Sequence, residues 1–319
     1  MAKLNILVSA VGGDLGQSVI KCLKDSGYES RIIGCDMNPY AAGKADVDTF
    51  LQAPPVKEKQ KYSDFLLQTL KKHKINYVFL LADVEIIFYN ENRELFNESR
   101  AVFLVSEPHI IDTFMDKFKT VEFFREKGIL YPRTWLPSSY SGQLGFPLIL
   151  KKRRGSGSQE LFKVNNGEEL QFYLKHRRDM IIQEYLPGED NEYTAGIFSD
   201  GKNIHTITFK RTLAAGGFSR QVEPVWDEAI TTLPEGIAGV LDFKGSINVQ
   251  FRNTEKGCIP FEINPRFSST VYFRHLFGFP DVKWNLDMWE GKTVTFSSTA
   301  VKKGIGVRKF SEVIFENEN

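Results

Sequence analysis

Over roughly its first hundred residues the chain alternates short apolar runs with amphipathic stretches, and few folds accommodate that rhythm. LNILVSA reads as a buried strand, followed by the glycine turn GGDLG. QSVIKCLKDSGY then places Val19, Ile20 and Leu23 on one helical face. The strand RIIGCDMN follows, then the helix YSDFLLQTLKKHKI, the strand NYVFLLA, the helix IIFYNENRELF and the strand AVFLVS. Parallel neighbours need a crossover between them, usually a helix, so strands separated by helices imply a wound parallel sheet. The expected first domain is a wound α/β unit over 1–110.

The rhythm then changes. IIDTFMDKFKTVEFFREKGI reads as one helical segment ending at Gly128, and YPRTWLP as an extended connector. FPLILKKRRGSGSQELFKV suggests two strands around a Gly/Ser loop, before a helix over GEELQFYLKHR and a strand at DMIIQEYL. This small α+β unit is expected over 111–185. From 186 to 319 the chain is strand-rich, with EYTAGIFS, KNIHTITFKRTL, GSINVQFRN and CIPFEINPR, hairpin breaks at SDGK and NTEKG, and a return to helix in GFPDVKWNLDMWEGK.

Charge and cysteines narrow the class. Forty-one Lys plus Arg against forty Asp plus Glu argue against a nucleic-acid binder held by phosphate neutralisation. Cys22, Cys35 and Cys258 are too scattered for a disulfide framework or a zinc site, which suits a reducing cytoplasm. The opening residues lack signal-peptide character, and the apolar run from Val78 to Tyr89 is interrupted by Asp83 and Glu85, so no membrane segment is expected. The expected partners are small molecules, with a homodimer as the commonest assembly.

Three stretches carry chemistry. In IPFEINPR, alternation puts Glu262 and Asn264 on one strand face and Phe261 and Ile263 on the other. In SINVQFR the same rule groups Asn248 with Gln250. Paired through NTEKG, the two polar faces would form an oxygen cluster of the kind hard cations such as Mg²⁺ take; the same pattern also fits a solvent-facing sheet, and sequence leaves the register open. In PLILKKRRGSGS, Lys151 ends an apolar strand just before a loop of glycines and serines. Backbone N–H groups and a lysine there suit a polyphosphate, although a basic surface hairpin would look alike. IIQEYLPGEDNEYT offers Glu184, Tyr185 and Leu186 at a strand end, then Glu189, Asp190 and Glu192, which fit either a nucleoside contact or a solvated acidic loop.

Taken in order, the lysine and Gly/Ser loop, Gln-Glu-Tyr-Leu with a later Glu, Asn-Val-Gln and Glu-Ile-Asn-Pro-Arg resemble the ATP-grasp superfamily. The similarity is greatest to the modules of the carbamoyl-phosphate synthetase large subunit. Asp116-Lys117 and GILYPRTW resemble the segment leading into that family's nucleotide lid. The resemblance implies that Lys117 and Lys151 contact ATP phosphates and that Gly155, Ser156, Gly157 and Ser158 close over them. It implies that Glu184 with the backbone of Tyr185 and Leu186 holds adenine, and that Glu192 holds the ribose. Gln250, Glu262 and Asn264 would bind two Mg²⁺ ions, or Mn²⁺ in their place, with Glu262 bridging.

Arg266 would act on the transferred phosphoryl group, where its fork suits phosphate oxygens. Lys210 is the second expected catalytic side chain, with Arg211 and Arg220 near it in sequence. The implied reaction is ATP-dependent ligation: a carboxylate becomes an acyl-phosphate and an amine or similar nucleophile displaces phosphate. Ser269 stands where the synthetase pattern has a further arginine, which puts bicarbonate as the substrate and carbamoyl phosphate as the product in doubt; Lys152, where relatives place proline, is a separate departure in the lid sequence.

Other readings compete. GGDLG with Asp36 ending the second strand resembles a dinucleotide fingerprint without its Gly-x-Gly spacing, which would make the chain an NAD-dependent oxidoreductase. A third reading is a non-catalytic ATP-binding protein of the grasp fold. Asp83 and Glu85 follow a strand at its carboxyl end, where they suit either an amine ligand or the start of a helix. His275 is expected to be a packed or surface residue.

Overall fold

The computed structural model describes residues 3–155, 160–214, 216–296 and 303–315. The first unit is a five-stranded, wholly parallel sheet of β1 (Leu4–Val8), β2 (Ser30–Asp36), β3 (Thr49–Gln52), β4 (Tyr77–Phe79) and β5 (Val102–Phe103), in the order β3-β2-β1-β4-β5. Its helices are α1 (Asp14–Lys24), α2 (Lys59–Lys72) and α3 (Asp83–Glu91). Strand β3 lies between RIIGCDMN and YSDFLLQTLKKHKI, where the sequence pattern marks no element. Only one of its four residues is exposed, but none is fully buried, so TFLQ at the sheet edge lacks the apolar run that marks its neighbours.

Apolar clusters fill both faces of this sheet: Ile6, Val8 and Phe79 on one side, Leu7, Ile33 and Val78 on the other. Helix α1 sits so close to β1 that a Cβ on Gly16 would lie 2.4 Å from the Ala10 carbonyl oxygen. The glycine turn is thus a packing requirement.

The expected single helix before Gly128 is two, α4 (Pro108–Phe114) and α5 (Lys117–Glu126), broken at Asp116, whose carboxylate accepts from the amides of Phe118 and Lys119 as the N-cap of α5. Although both fall largely within 111–185, they pack under the last sheet: Ile110, Phe114 and Phe124 share a cluster with Ile197, Val249 and Phe251.

The rest of this middle unit is a four-stranded antiparallel sheet of β6 (Thr134–Trp135), β7 (Leu148–Lys152), β8 (Leu161–Val164) and β9 (Met180–Glu184), ordered β6-β9-β7-β8 and backed by α6 (Gly167–His176).

The last unit is a six-stranded antiparallel sheet. Its strands are β10 (Glu192–Ser199), β11 (Ile204–Leu213), β12 (Ser219–Pro224), β13 (Gly245–Thr254), β14 (Gly257–Asn264) and β15 (Gly306–Val307), in the order β14-β13-β10-β11-β12-β15. Strand β12, helix α7 (Glu228–Gly239) and helix α8 (Val271–Phe277) go beyond the sequence expectation; α7 carries an internal proline, Pro234, that argues locally against a helix. Helix α9 (Asp281–Trp289) is where GFPDVKWNLDMWEGK foretold one.

One face of the sheet is apolar and covered by α4, α5 and α7. On the other, Phe198, Phe209 and Phe277 pack at one end beside Trp284 of α9. The other end of that face is polar, and there a cavity opens.

Candidate active site

The cavity measures about 550 Å³ and draws walls from both antiparallel sheets and from the loops and α1 start at one end of the parallel sheet. Its floor is the β13–β14 hairpin, whose register the sequence left open. Gln250 stands directly opposite Glu262, and Asn248 opposite Asn264. Because side chains alternate along both strands, these four share a face, while Val249 and Ile263 go to the core.

Its roof is strand β7 of the four-stranded sheet. Lys151 is almost wholly buried there, and its ammonium lies 3.4 Å from the Phe261 carbonyl oxygen. Burial pushes this lysine down to about 8 from the usual 10.5; Glu262 and Glu192 pull it back up, while Lys117 and Arg252 press it further down.

Lys117, the first residue of α5, donates to the Gly155 carbonyl at 2.6 Å. The break at Asp116 places it there. The Asp116 carboxylate also accepts from Arg153 at 2.8 Å and Arg154 at 3.3 Å, tying the base of the Gly/Ser loop to the start of α5. Burial raises the Asp116 carboxyl, but hydrogen bonds from Arg153 and the helix amides outweigh it and leave it below the usual range.

At the far end, Glu184 accepts from the Arg133 amide and guanidinium, each at 3.2 Å, with Lys256 at 3.6 Å. Burial raises this carboxyl too, and Arg133 reverses the sign. The Leu186 carbonyl takes a 2.6 Å bond from Arg252.

Glu192 is clamped. Arg211 holds one of its oxygens at 2.6 Å and Arg252 the other at 2.9 Å, and Arg211 also donates to Gln250 at 2.8 Å. A ribose hydroxyl at Glu192 must therefore use lone pairs the arginines leave.

Of the residues singled out in the sequence, Lys117, Lys151, Gly155, Glu184, Tyr185, Leu186, Glu192, Gln250, Glu262, Asn264 and Arg266 all line this cavity. Ser156, Gly157 and Ser158 lie outside the described residues.

Lys210 does not line it, which corrects its expected place at the site. On β11 the period of two sends Arg211 and Leu213 to the cavity, whereas Lys210 is exposed and paired in register with Glu223. Arg220 is likewise exposed outside the lining. Sequence reasoning gave Arg252 no role and left that of Arg211 open. The signal for both was alternation with Glu192 and Gln250 on adjacent strands, which needs the strand order to read.

Asp83 and Glu85 open α3. Asp83 pairs with Arg266, while burial raises the Glu85 carboxyl against the lowering effect of the hydrogen bonds it accepts from Ser9 and Tyr62. His275 stacks on Tyr272 with ring centroids 5.9 Å apart.

The dinucleotide reading gains no support from the turn. The Asp36 carboxylate, which would hold a ribose, accepts from the Gly12 amide at 2.8 Å and the Asn38 amide at 2.9 Å, folding the turn onto itself.

Residues 114–270 match the family model described as ATP-grasp domain. Over these residues the chain belongs to the ATP-grasp family. Its residues 6–103 match a second model, the PylC-like N-terminal domain. It is similar to the carbamoyl phosphate synthase large chain of Caldanaerobacter subterraneus subsp. tengcongensis, 32% identical over 167 residues, which is 47% of this chain and 15% of that one. The corresponding chain of Clostridium beijerinckii is 26% identical over 287 residues, 82% of this chain and 26% of that one. The ATP-grasp protein thus spans about a quarter or less of the length of these relatives.

Among solved structures, the biotin carboxylase domain of Hydrogenobacter thermophilus 2-oxoglutarate carboxylase superposes with a TM-score of 0.73 at 16% identity, covering 94% of this chain and 73% of that one. N5-carboxyaminoimidazole ribonucleotide synthetase from Thermus thermophilus gives 0.72 at 17%, covering 95% and 81%. These likenesses show a shared fold. Among the described residues no helix is long and apolar enough to cross a membrane.

Proposed function

We propose that this ATP-grasp protein is an ATP-dependent ligase that activates a small-molecule carboxylate as an acyl-phosphate for attack by an amine. The observation that carries the reading is the opposition of Gln250 and Glu262 across the hairpin, beneath the buried Lys151 and beside Arg266. Such a face gathers oxygen donors under cationic groups, which is what a triphosphate and its counter-ions require.

The donor set fits Mg²⁺. Glu262 and Asn264 present hard oxygens two residues apart on one strand, and the Gln250 carbonyl oxygen keeps one lone pair beside the bond it accepts from Arg211. Glu262 would bridge two ions, which Mn²⁺ could replace. Bound there, Mg²⁺ would offset phosphate charge. Lys151 and Lys117 neutralise the phosphate oxygens, the Leu186 segment holds the adenine edge, and Glu184 closes that end. The substrate carboxylate oxygen attacks the γ-phosphorus, ADP leaves, and an amine then attacks the acyl carbon and expels phosphate. Arg266 would steady the phosphoryl group through both steps. The acyl-phosphate hydrolyses in water, so closure of the β6-β9-β7-β8 lid protects it. The solved 2-oxoglutarate carboxylase domain is described as a dimer, and a homodimer is the assembly proposed here.

The test is thermal unfolding with MgATP, with ATP plus chelator, and with NAD. A ligand at about a hundred times its Kd adds roughly 2.7 kcal/mol. MgATP should raise the midpoint, chelator should reduce the rise, and Glu262→Ala should remove its metal dependence. Stabilisation by NAD alone would sink the ligase reading.

A further inference from the structure

Arg266 leaves the end of β14 on a segment that is docked against the parallel-sheet domain at three successive residues. The Pro265 carbonyl accepts from the buried Ser106 hydroxyl at 3.0 Å. Phe267 enters the core of that domain, its ring 5.8 Å from Phe79. Between them, Arg266 donates its Nε to Asp83 Oδ1 at 2.6 Å and an Nη to the Phe267 carbonyl at 2.9 Å. Only 15% of the Arg266 side chain and 12% of the Asp83 side chain are exposed.

Asp83 is itself fixed. It is the first residue of α3, and two residues on, Glu85 anchors that turn in the domain core by accepting from Ser9, from the Tyr62 hydroxyl at 2.9 Å and from the Ala82 amide at 3.3 Å. The chain of contacts runs from the Tyr62 and Ser9 core through α3 to the guanidinium in the cavity wall.

We infer that Asp83 is a positioning residue: the N-terminal domain, through this carboxylate, aims the Arg266 guanidinium at the site of the transferred phosphoryl group. An arginine has five N–H donors in a rigid fork. Holding Nε and one Nη from behind fixes the plane of the fork, so the edge facing the cavity meets phosphate oxygens with little orientational freedom left to lose. The long flexible stem would otherwise have to be ordered when nucleotide binds. A tether of this kind bears on the terminal phosphate and leaves the diphosphate contacts of Lys117 and Lys151 alone.

The inference rests on the proposed role of Arg266 at the γ-phosphate, and the experiment separates the two. Affinities for AMP-PNP and for ADP, each with Mg²⁺, are measured by titration calorimetry for the full chain, Asp83→Asn, Arg266→Ala and the double variant. Arg266→Ala should lower the AMP-PNP to ADP affinity ratio by about tenfold, the size of one charge-assisted hydrogen bond. Asp83→Asn should lower the same ratio by about three- to tenfold with ADP affinity held, and should add nothing in the Arg266→Ala background. Equal losses for both nucleotides would make Asp83 merely structural and overturn the inference. So would a ratio that rises or stays at the wild-type value in Asp83→Asn, or losses that add in the double variant. A ratio untouched by Arg266→Ala would overturn the phosphoryl role of Arg266 itself, and this inference with it.

Discussion

Replacing Lys151 by methionine should make the unliganded protein more stable while removing its response to nucleotide. Lys151 is 5% exposed, and burial is the largest influence on its ammonium, bringing it from 10.5 to about 8. That fall corresponds to about 3.4 kcal/mol favouring the neutral form. Below pH 8 both the folded and unfolded chains carry the proton, so the folded state bears the full cost. Between about 8 and 10.5 the unfolded chain binds more protons than the folded one, stability rises with pH, and above 10.5 the cost is gone.

Lys151→Met keeps the stem's packing and discards the charge, at the loss of attraction to Glu262 and of a long bond to the Phe261 carbonyl. The net gain at pH 7 should be about 1–3 kcal/mol, falling towards zero near pH 10.5. Denaturant unfolding at pH 7, 8.5 and 10 measures it, and the order of the two proteins should reverse when saturating MgAMP-PNP is added. A variant less stable than wild type at pH 7, or an advantage that does not shrink with pH, would refute the account of Lys151 as a strained cation held for a polyanion.

Two further outcomes follow from the geometry. Arg211→Ala removes one of two clamps on the buried Glu192 and the donor to Gln250, and should cost about 3 kcal/mol in denaturant unfolding, more than exposed Lys210→Ala, which should stay within about 0.5 kcal/mol. Gly16→Ala puts a methyl 2.4 Å from the Ala10 carbonyl and should destabilise the parallel-sheet domain by about 1–3 kcal/mol, without any NAD-dependent rescue, because the glycine serves helix packing.

What could be read from the linear chain was whatever is encoded in local period. The βα alternation announced the parallel sheet, and the polar positions of β13 and β14 could be paired on one face because a strand repeats every two residues. The edge strand Thr49–Gln52 escaped because it lacks a buried apolar run, and α7 because Pro234 interrupts its otherwise helical apolar repeat.

The site divides in the same way. The types of side chain at Lys151, Gln250, Glu262, Asn264 and Arg266 were legible from their order. Tertiary structure alone decided their register, put Arg211 in the cavity and Lys210 outside it, and spent Glu192 on two arginines. The bond from Asp83 to Arg266 spans 183 residues, and no local pattern marks it. Such contacts depend on which strands become neighbours and how domains dock, and those are properties of the whole packed chain, in which each partner's position is set by cores that neither residue belongs to.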